Sequence, residues 1–154
     1  MNLRPRLRAA LACLGLCVAS ALSIAQPAAA PTAGTVKRMA GSATLLRAGA
    51  GTPLAVGTAL LVGDTLRTGT DGAVGVTLAD DTLLTLGAET ELVLSEYSFD
   101  TTTHEGGMLA SLWRGTLSVV TGLIGKKAPE KMRVQTRTVV LGVRGTEFIV
   151  DAGK

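Results

Sequence analysis

The sequence predicts an all-β fold: a solenoid-like stack of short strands (a twisted β-solenoid), with a β-sandwich as the alternative. Three observations carry this expectation. From Leu54 to Leu94 one side-chain parity persists, with Leu54, Val56, Leu60, Val62, Leu66, Val74, Val76, Leu78, Leu84, Leu86, Leu92 and Leu94 all at even positions. The odd positions between them are mostly small or polar, apart from Leu61, Leu83 and Val93. A period of two is the strand period, because successive side chains point to opposite faces. Glycines at 51, 57, 63, 69, 75 and 87 punctuate the stretch at multiples of six, as turns between short strands would. Finally, almost no segment carries a helical period. Aromatic residues make up only 3%, so the interior must be built from Leu, Val and Ala, which suits thin layers.

The first segment reads as a targeting signal. Arg4, Arg6 and Arg8 form a basic head, Ala9 to Ile24 an uncharged apolar stretch, and Ser23-Ile24-Ala25 a small-residue cleavage site. Residues 1–25 are therefore expected to be removed, with cleavage after Ala25 and a second candidate at Ala28 to Ala30. The apolar core is shorter than the ~20 residues of a spanning helix, so no stable membrane insertion is expected after cleavage. Leu16 before Cys17 does not fit a lipobox. Both cysteines and three arginines leave with the signal, so twelve Lys and Arg then face twelve Asp and Glu. A balanced charge gives no argument for nucleic acid, and without cysteine there is no disulfide or thiolate.

Residues 26–34, rich in Ala and Pro, read as a flexible linker, and the domain is expected over 35–150. Gly41 to Leu46 gives a first strand, followed by a turn at Gly49 to Gly51. Val56-Gly57-Thr58-Ala59-Leu60 is then echoed by Val62-Gly63-Asp64-Thr65-Leu66. Gly69-Thr70-Asp71-Gly72, Ala79-Asp80-Asp81-Thr82 and Gly87-Ala88-Glu89-Thr90 are turns, since Gly and Asp tolerate positive φ. Tyr97 to Gly107 loses the pattern and reads as the longest exposed loop. Leu109 to Val120 resumes strand, Gly125 to Lys131 is a second polar loop, and Met132 to Val150 closes the chain.

Chemistry-bearing residues are sparse. His104 is the sole histidine and sits in the polar stretch, where Glu105 or Asp100 could orient it, but its plain reading is a solvated loop residue. No serine occupies a Gly-x-Ser-x-Gly elbow. Asp80 and Asp81 would face opposite ways on a strand. Glu89 and Glu91 would share the solvent face, as a glycosidase-like pair, a calcium site or simply a charged exterior. Lys126, Lys127 and Lys131 are a small cationic group of the kind usually solvated. No catalytic residue, cofactor or metal site is expected.

Two phrases nevertheless resemble a known family. Leu60 to Gly69 (LLVGDTLRTG) is similar to the L-x-x-G-D-x-[ILV]-x-T segment of the FecR-type periplasmic domain, and Val143 to Phe148 (VRGTEF) to its closing [VT]-x-G-T-x-F segment. Leu78 to Thr82 stands where that family has Ala-Asp-Gly-Ser, and Trp113-Arg114-Gly115-Thr116-Leu117 resembles its R-G-x-[LV] strand. The resemblance spans about 34–150. It implies an all-β, solenoid-like, non-catalytic domain in the periplasm, or secreted. Full-length relatives relay occupancy of an outer-membrane receptor to a cytoplasmic sigma factor; here the expectation is a stand-alone domain without anti-sigma or secretin-like parts.

The motif residues implied are Gly63, Asp64, Thr65, Thr68, Gly69, Asp80, Gly115, Arg144, Gly145, Thr146 and Phe148, in structural roles. Gly63, Gly69 and Gly145 would serve positive φ or close approach. Asp64 with Thr65 or Thr68 would bond turn amides, and Arg144 would pair with Glu147. The expected activity is binding of a protein or envelope-glycan partner, linked to cell-surface signalling, with oligomeric state open. The alternatives are a structural part of an envelope assembly, or an enzyme: either an acyltransferase, since the hexad spacing resembles the left-handed β-helix, or a glycan hydrolase using Glu89 and Glu91.

Overall fold

Alternation decides which residues meet. The structure, a computed structural model, describes residues 31–143 and 145–153. Its strands are β1 (Gly34–Ala40), β2 (Ala43–Arg47), β3 (Ala50–Pro53), β4 (Ala59–Leu60), β5 (Thr65–Thr68), β6 (Ala73–Leu78), β7 (Leu83–Leu86) and β8 (Glu91–Phe99). After them come β9 (Gly106–Arg114), β10 (Thr116–Val120), a short helix α1 (Leu123–Lys127), a 3-10 turn (Pro129–Lys131), β11 (Met132–Gln135), β12 (Val140–Gly142) and β13 (Glu147–Asp151). They form two open sheets, ordered β13-β10-β7-β6-β1-β4 and β12-β11-β9-β8-β5-β2-β3.

The fold is all-β, and two sheets fit the sandwich alternative. All ladders are antiparallel except β9 with β11. Repeating parallel coils, which a β-helix of stacked hexads would require, do not occur among the described residues. The β9–β11 pair is parallel because the chain leaves one sheet at Gly115, runs through β10 and α1, and returns. Parallel neighbours need such a crossover.

Inward residues of both sheets make one core cluster of Leu, Val, Met, Ala and Ile. From Leu60 to Leu112 the buried aliphatics are all even, and after Gly115 they become odd, at Leu117 and Val119. The switch falls where the chain changes sheet, at a glycine with φ +80. Parity misleads at Val56 and Val62, which are exposed: each precedes a positive-φ glycine in a turn, outside any ladder.

Several expected boundaries change. The first strand is not 41–46: β1 precedes it, with Ala33 already buried and Gly34 in the strand, so the ordered domain begins within the segment read as linker. Gly41 and Ser42 turn between β1 and β2. The Tyr97–Gly107 loop shrinks to 100–105, because β8 continues to Phe99 and β9 starts at Gly106. A bulge at Ser95 lies between the pairs Leu94↔Ala110 and Glu96↔Leu109. It flips the parity, turning Tyr97 and Phe99 toward the core. The expected 125–131 loop is α1 and the 3-10 turn, too short to show a helical period. Val140 and Leu141, part of the most apolar run, are exposed along β12 at a sheet edge, and Val139 just before them is exposed as well. The targeting segment and Arg144 lie outside the described residues.

Candidate functional site

Of the residues singled out by motif, Gly63, Asp64, Thr68, Gly69, Asp80 and Gly115 fall into three polar clusters, each locking a strand turn. In the first, Gly63 takes φ +89 in the turn before β5 and its amide donates to the Leu94 carbonyl at 2.8 Å. Asp64 follows, only 2% exposed. Its carboxylate accepts the Leu61 amide at 2.7 Å and the Arg47 guanidinium through Nε at 2.8 Å and Nη2 at 2.6 Å. Arg47 Nη2 also reaches the Ala59 carbonyl at 2.8 Å, so one arginine ties β2 to β4 and to the turn before β5. Burial by itself would raise the Asp64 carboxyl, but the Arg47 hydrogen bond, the Leu61 amide and the Arg47 charge hold it below the ordinary carboxylate range. Arg47 is the residue that sequence reasoning missed; no local motif marks a partner seventeen positions away.

The second cluster is built of threonines. Thr68 Oγ1 donates to the Gly87 carbonyl at 2.6 Å and accepts the Thr90 amide at 2.8 Å. Thr90 Oγ1 in turn accepts the Thr116 amide at 3.1 Å. Gly115, beside it, could not carry a Cβ without striking the Thr90 hydroxyl. Gly69 has ordinary φ, and a Cβ there would force the Ser42 hydroxyl to move, while a Cβ on Gly72 would strike the Ser42 carbonyl. The turn 69–72 therefore needs close approach rather than positive φ, against the expectation for Asp71. Thr65 sits half-buried at the start of β5 and takes no part in these turn bonds.

The third cluster surrounds Asp80, which is fully buried. One carboxylate oxygen accepts the Tyr97 hydroxyl at 3.1 Å and the Thr82 amide at 3.3 Å. The other accepts the Thr82 hydroxyl at 2.7 Å and the Ile124 amide at 3.3 Å. The Asp80 amide donates to the Tyr97 oxygen at 2.9 Å, and Leu123 N to the Asp80 carbonyl at 2.7 Å. Asp80 thus docks α1 and the end of β8 onto the β6–β7 turn. Burial, followed by the Asp80 charge, pushes the Tyr97 phenol up. Asp81, its neighbour, is exposed with φ +65.

The closing motif is mostly at the surface. Gly145 takes φ +141, and its carbonyl accepts the Thr121 hydroxyl at 3.1 Å. The Thr146 carbonyl accepts Thr121 N at 2.8 Å, while Phe148 packs half-buried on the core from β13. The expected Arg144–Glu147 pair involves a residue outside the description.

The alternative chemical candidates sit in different local settings. Glu89 lies in a turn at φ +51, whereas Glu91 opens β8 and pairs with Arg67 at 3.0 Å and Arg114 at 3.8 Å. His104 is exposed and stacks on Phe99 with ring centres 6.2 Å apart. Lys127 donates to the Thr103 carbonyl at 2.6 Å, pinning that loop to α1. Among the described residues, no three His, Cys, Asp or Glu side chains gather as metal ligands, and no helix is long and apolar enough to cross a membrane. What remains open to a partner is surface. Two shallow clefts of about 580 and 340 Å³ lie over β1, β6 and β7, and one of about 440 Å³ lies beside the β8–β9 hairpin.

Fold and clusters define a class: an all-β two-sheet domain whose motif polar groups are spent on turns. The family model described as "FecR protein" matches residues 64–154, and the chain belongs to that family. FecR domains are periplasmic and regulatory in their family context. A solved structure described as "Cell surface anchoring domain" is 26% identical, covering 40% of this chain and 82% of its own, at a TM-score of 0.38. That likeness is too slight to locate a site. No curated protein matches the chain.

Proposed function

We propose that this chain is an exported FecR-type binding domain, acting without turnover on a protein or envelope-glycan partner in the periplasm and linked to cell-surface signalling. The observation that supports this most is where the motif residues go. Asp64, Thr68 and Asp80 are all buried, with their side-chain oxygens committed to turn bonds. The motif is a folding device, and partner recognition is left to the sheet faces and edges. The reading includes removal of residues 1–25 and adopts no cofactor, metal or nucleic acid. Intact mass of the protein recovered from the periplasm should begin at Gln26. Cross-linking in intact cells, followed by identification of the adduct, tests the binding role. A chain that stays uncross-linked across several surface positions would count against it.

A second reading, structural association within an envelope assembly, is favoured by one feature. Val140 and Leu141 are 57% and 39% exposed along an edge strand, and Val139 just before it is 50% exposed, a place where sheets add strands. Light scattering on the mature protein separates a monomeric binder from an associating one.

A further inference from the structure

We propose that the outer face of the six-stranded sheet, at the β1 bulge, is a docking cleft for an acidic, partly apolar peptide segment of a protein partner. The inference rests on the binding-domain reading and adds to it the location and the chemistry of the partner. In β1, Val36 pairs with Val76 and Arg38 with Gly75, so Lys37 is an extra residue. A bulge of this kind spoils alternation locally. Val36 remains fully buried, while Lys37 and Arg38 are both exposed and line both clefts. Two adjacent cations thereby share one face of a strand, which a regular strand forbids.

The floor beneath them is shaped for this. A Cβ on Gly75 would come within 3.3 Å of the Arg38 Cβ, so the arginine stem lies along a position kept open by glycine. Met39 and Val56, 37% and 60% exposed, give one cleft an apolar wall, and Thr85 joins the two clefts. Neither lining contains a carboxylate. The ion pairs among the described residues use Arg47, Arg67, Arg114 and Arg133, leaving Lys37 and Arg38 without an acidic partner within 4.0 Å. Unpaired cations over an apolar wall are complementary to carboxylates beside an aliphatic side chain, and guanidinium favours a carboxylate bidentately. A membrane surface is a poorer match, since lipid-binding patches gather roughly 4–8 basic residues and this face offers two in a concave site.

The test uses the mature domain labelled with ¹⁵N and a capped Asp-Leu-Asp-Leu-Asp peptide as probe. Its Asn-Leu isostere and phosphatidylglycerol vesicles serve as comparisons. The expected result is amide shifts confined to Lys37 to Met39, Gly75 and Thr85, weakening with salt, with at least tenfold weaker binding in Lys37→Glu/Arg38→Glu. Lys126→Ser should bind unchanged. Because both substituted side chains are exposed, the spectrum of the double variant should remain folded; Gly75→Leu, which displaces Arg38 without altering charge, gives a second route to the same loss. Equal binding of the neutral peptide, shifts mapping elsewhere, or vesicles binding through these residues more strongly than the peptide would each overturn the cleft. Shifts elsewhere would leave the binding-domain reading standing, because that reading fails only in the cross-linking experiment.

Discussion

The Arg47 guanidinium meets the buried Asp64 carboxylate at 2.6 Å while remaining 43% exposed itself. The pair is asymmetric: water can replace the carboxylate for arginine, but little can replace arginine for the aspartate. Arg47→Ala should therefore destabilise the domain by about 3 kcal/mol, because it strands a buried carboxylate without its countercharge. Asp64→Ala should cost less, about 1–3 kcal/mol, because the arginine left behind is solvated and the main loss is the unsatisfied Leu61 amide. Urea denaturation of both variants and the double variant checks the order. A larger loss for Asp64→Ala would refute it.

The same carboxylate sets an acid limit. Its folded pKa lies below the ordinary value, so its stabilisation is complete above the unfolded pKa of about 3.9. It is lost as pH falls through the folded value. Urea midpoints measured from pH 7 down to pH 2 should drop below about pH 4. Asp64→Asn should start lower and show a shallower decline. Asp71 and Asp100 are lowered too, through the Ser42 hydroxyl and the Thr103 and Thr102 amides respectively, so some acid sensitivity remains in that variant.

Asp80 holds together more structure than Asp64. Asp80→Ala strands two hydroxyls and two amides inside the core and should cost about 3 kcal/mol or more. Tyr97→Phe should cost less, about 1–2 kcal/mol. As the only tyrosine in the chain, Tyr97 can be followed by absorbance. Its phenolate should form above the free value of about 10, and a titration at the free value would contradict the buried hydrogen bond.

Glycines provide a paired test. A Cβ at Gly122 would run into the Asp80 carbonyl and lie 2.6 Å from the Asp81 carbonyl carbon, so Gly122→Ala should prevent α1 from docking and sharply lower the melting temperature. Gly57 has φ +90 but open space around it. Gly57→Ala should cost only the left-handed backbone penalty of about 1–2 kcal/mol. Similar melting temperatures for the two would show that close packing at Gly122 is not limiting.

If the β12 edge associates, Val140→Lys should reduce the molecular mass seen by light scattering at high concentration. Stability should change by no more than about 0.5 kcal/mol, as for an exposed position. An unchanged mass distribution from an associating wild type would place the contact elsewhere.

Much of this was legible in parity. Even the buried polar residues between 64 and 90 obey it: Asp64, Thr68, Asp80, Thr82 and Thr90 are all even. Their burial could have been read from register had polarity not argued for solvent. Reading failed where a single inserted residue shifts the register, at Ser95, since Tyr97 and Phe99 then point inward from odd positions. It also failed at α1, whose five residues are too few for a period and whose docking depends on Asp80, more than forty positions earlier. Ladder direction was equally hidden, because alternation looks the same in parallel and antiparallel strands.

Strand order in both sheets carries one more implication. Once Arg114 is in place, β4-β1-β6-β7 and β9-β8-β5-β2-β3 have every internal neighbour they need, and the later strands are added only beyond β7 and β9. A polypeptide delivered amino end first, from a ribosome or through a pore, can thus assemble both layers progressively without waiting for its tail. Whatever arrives last simply lengthens a wall already standing.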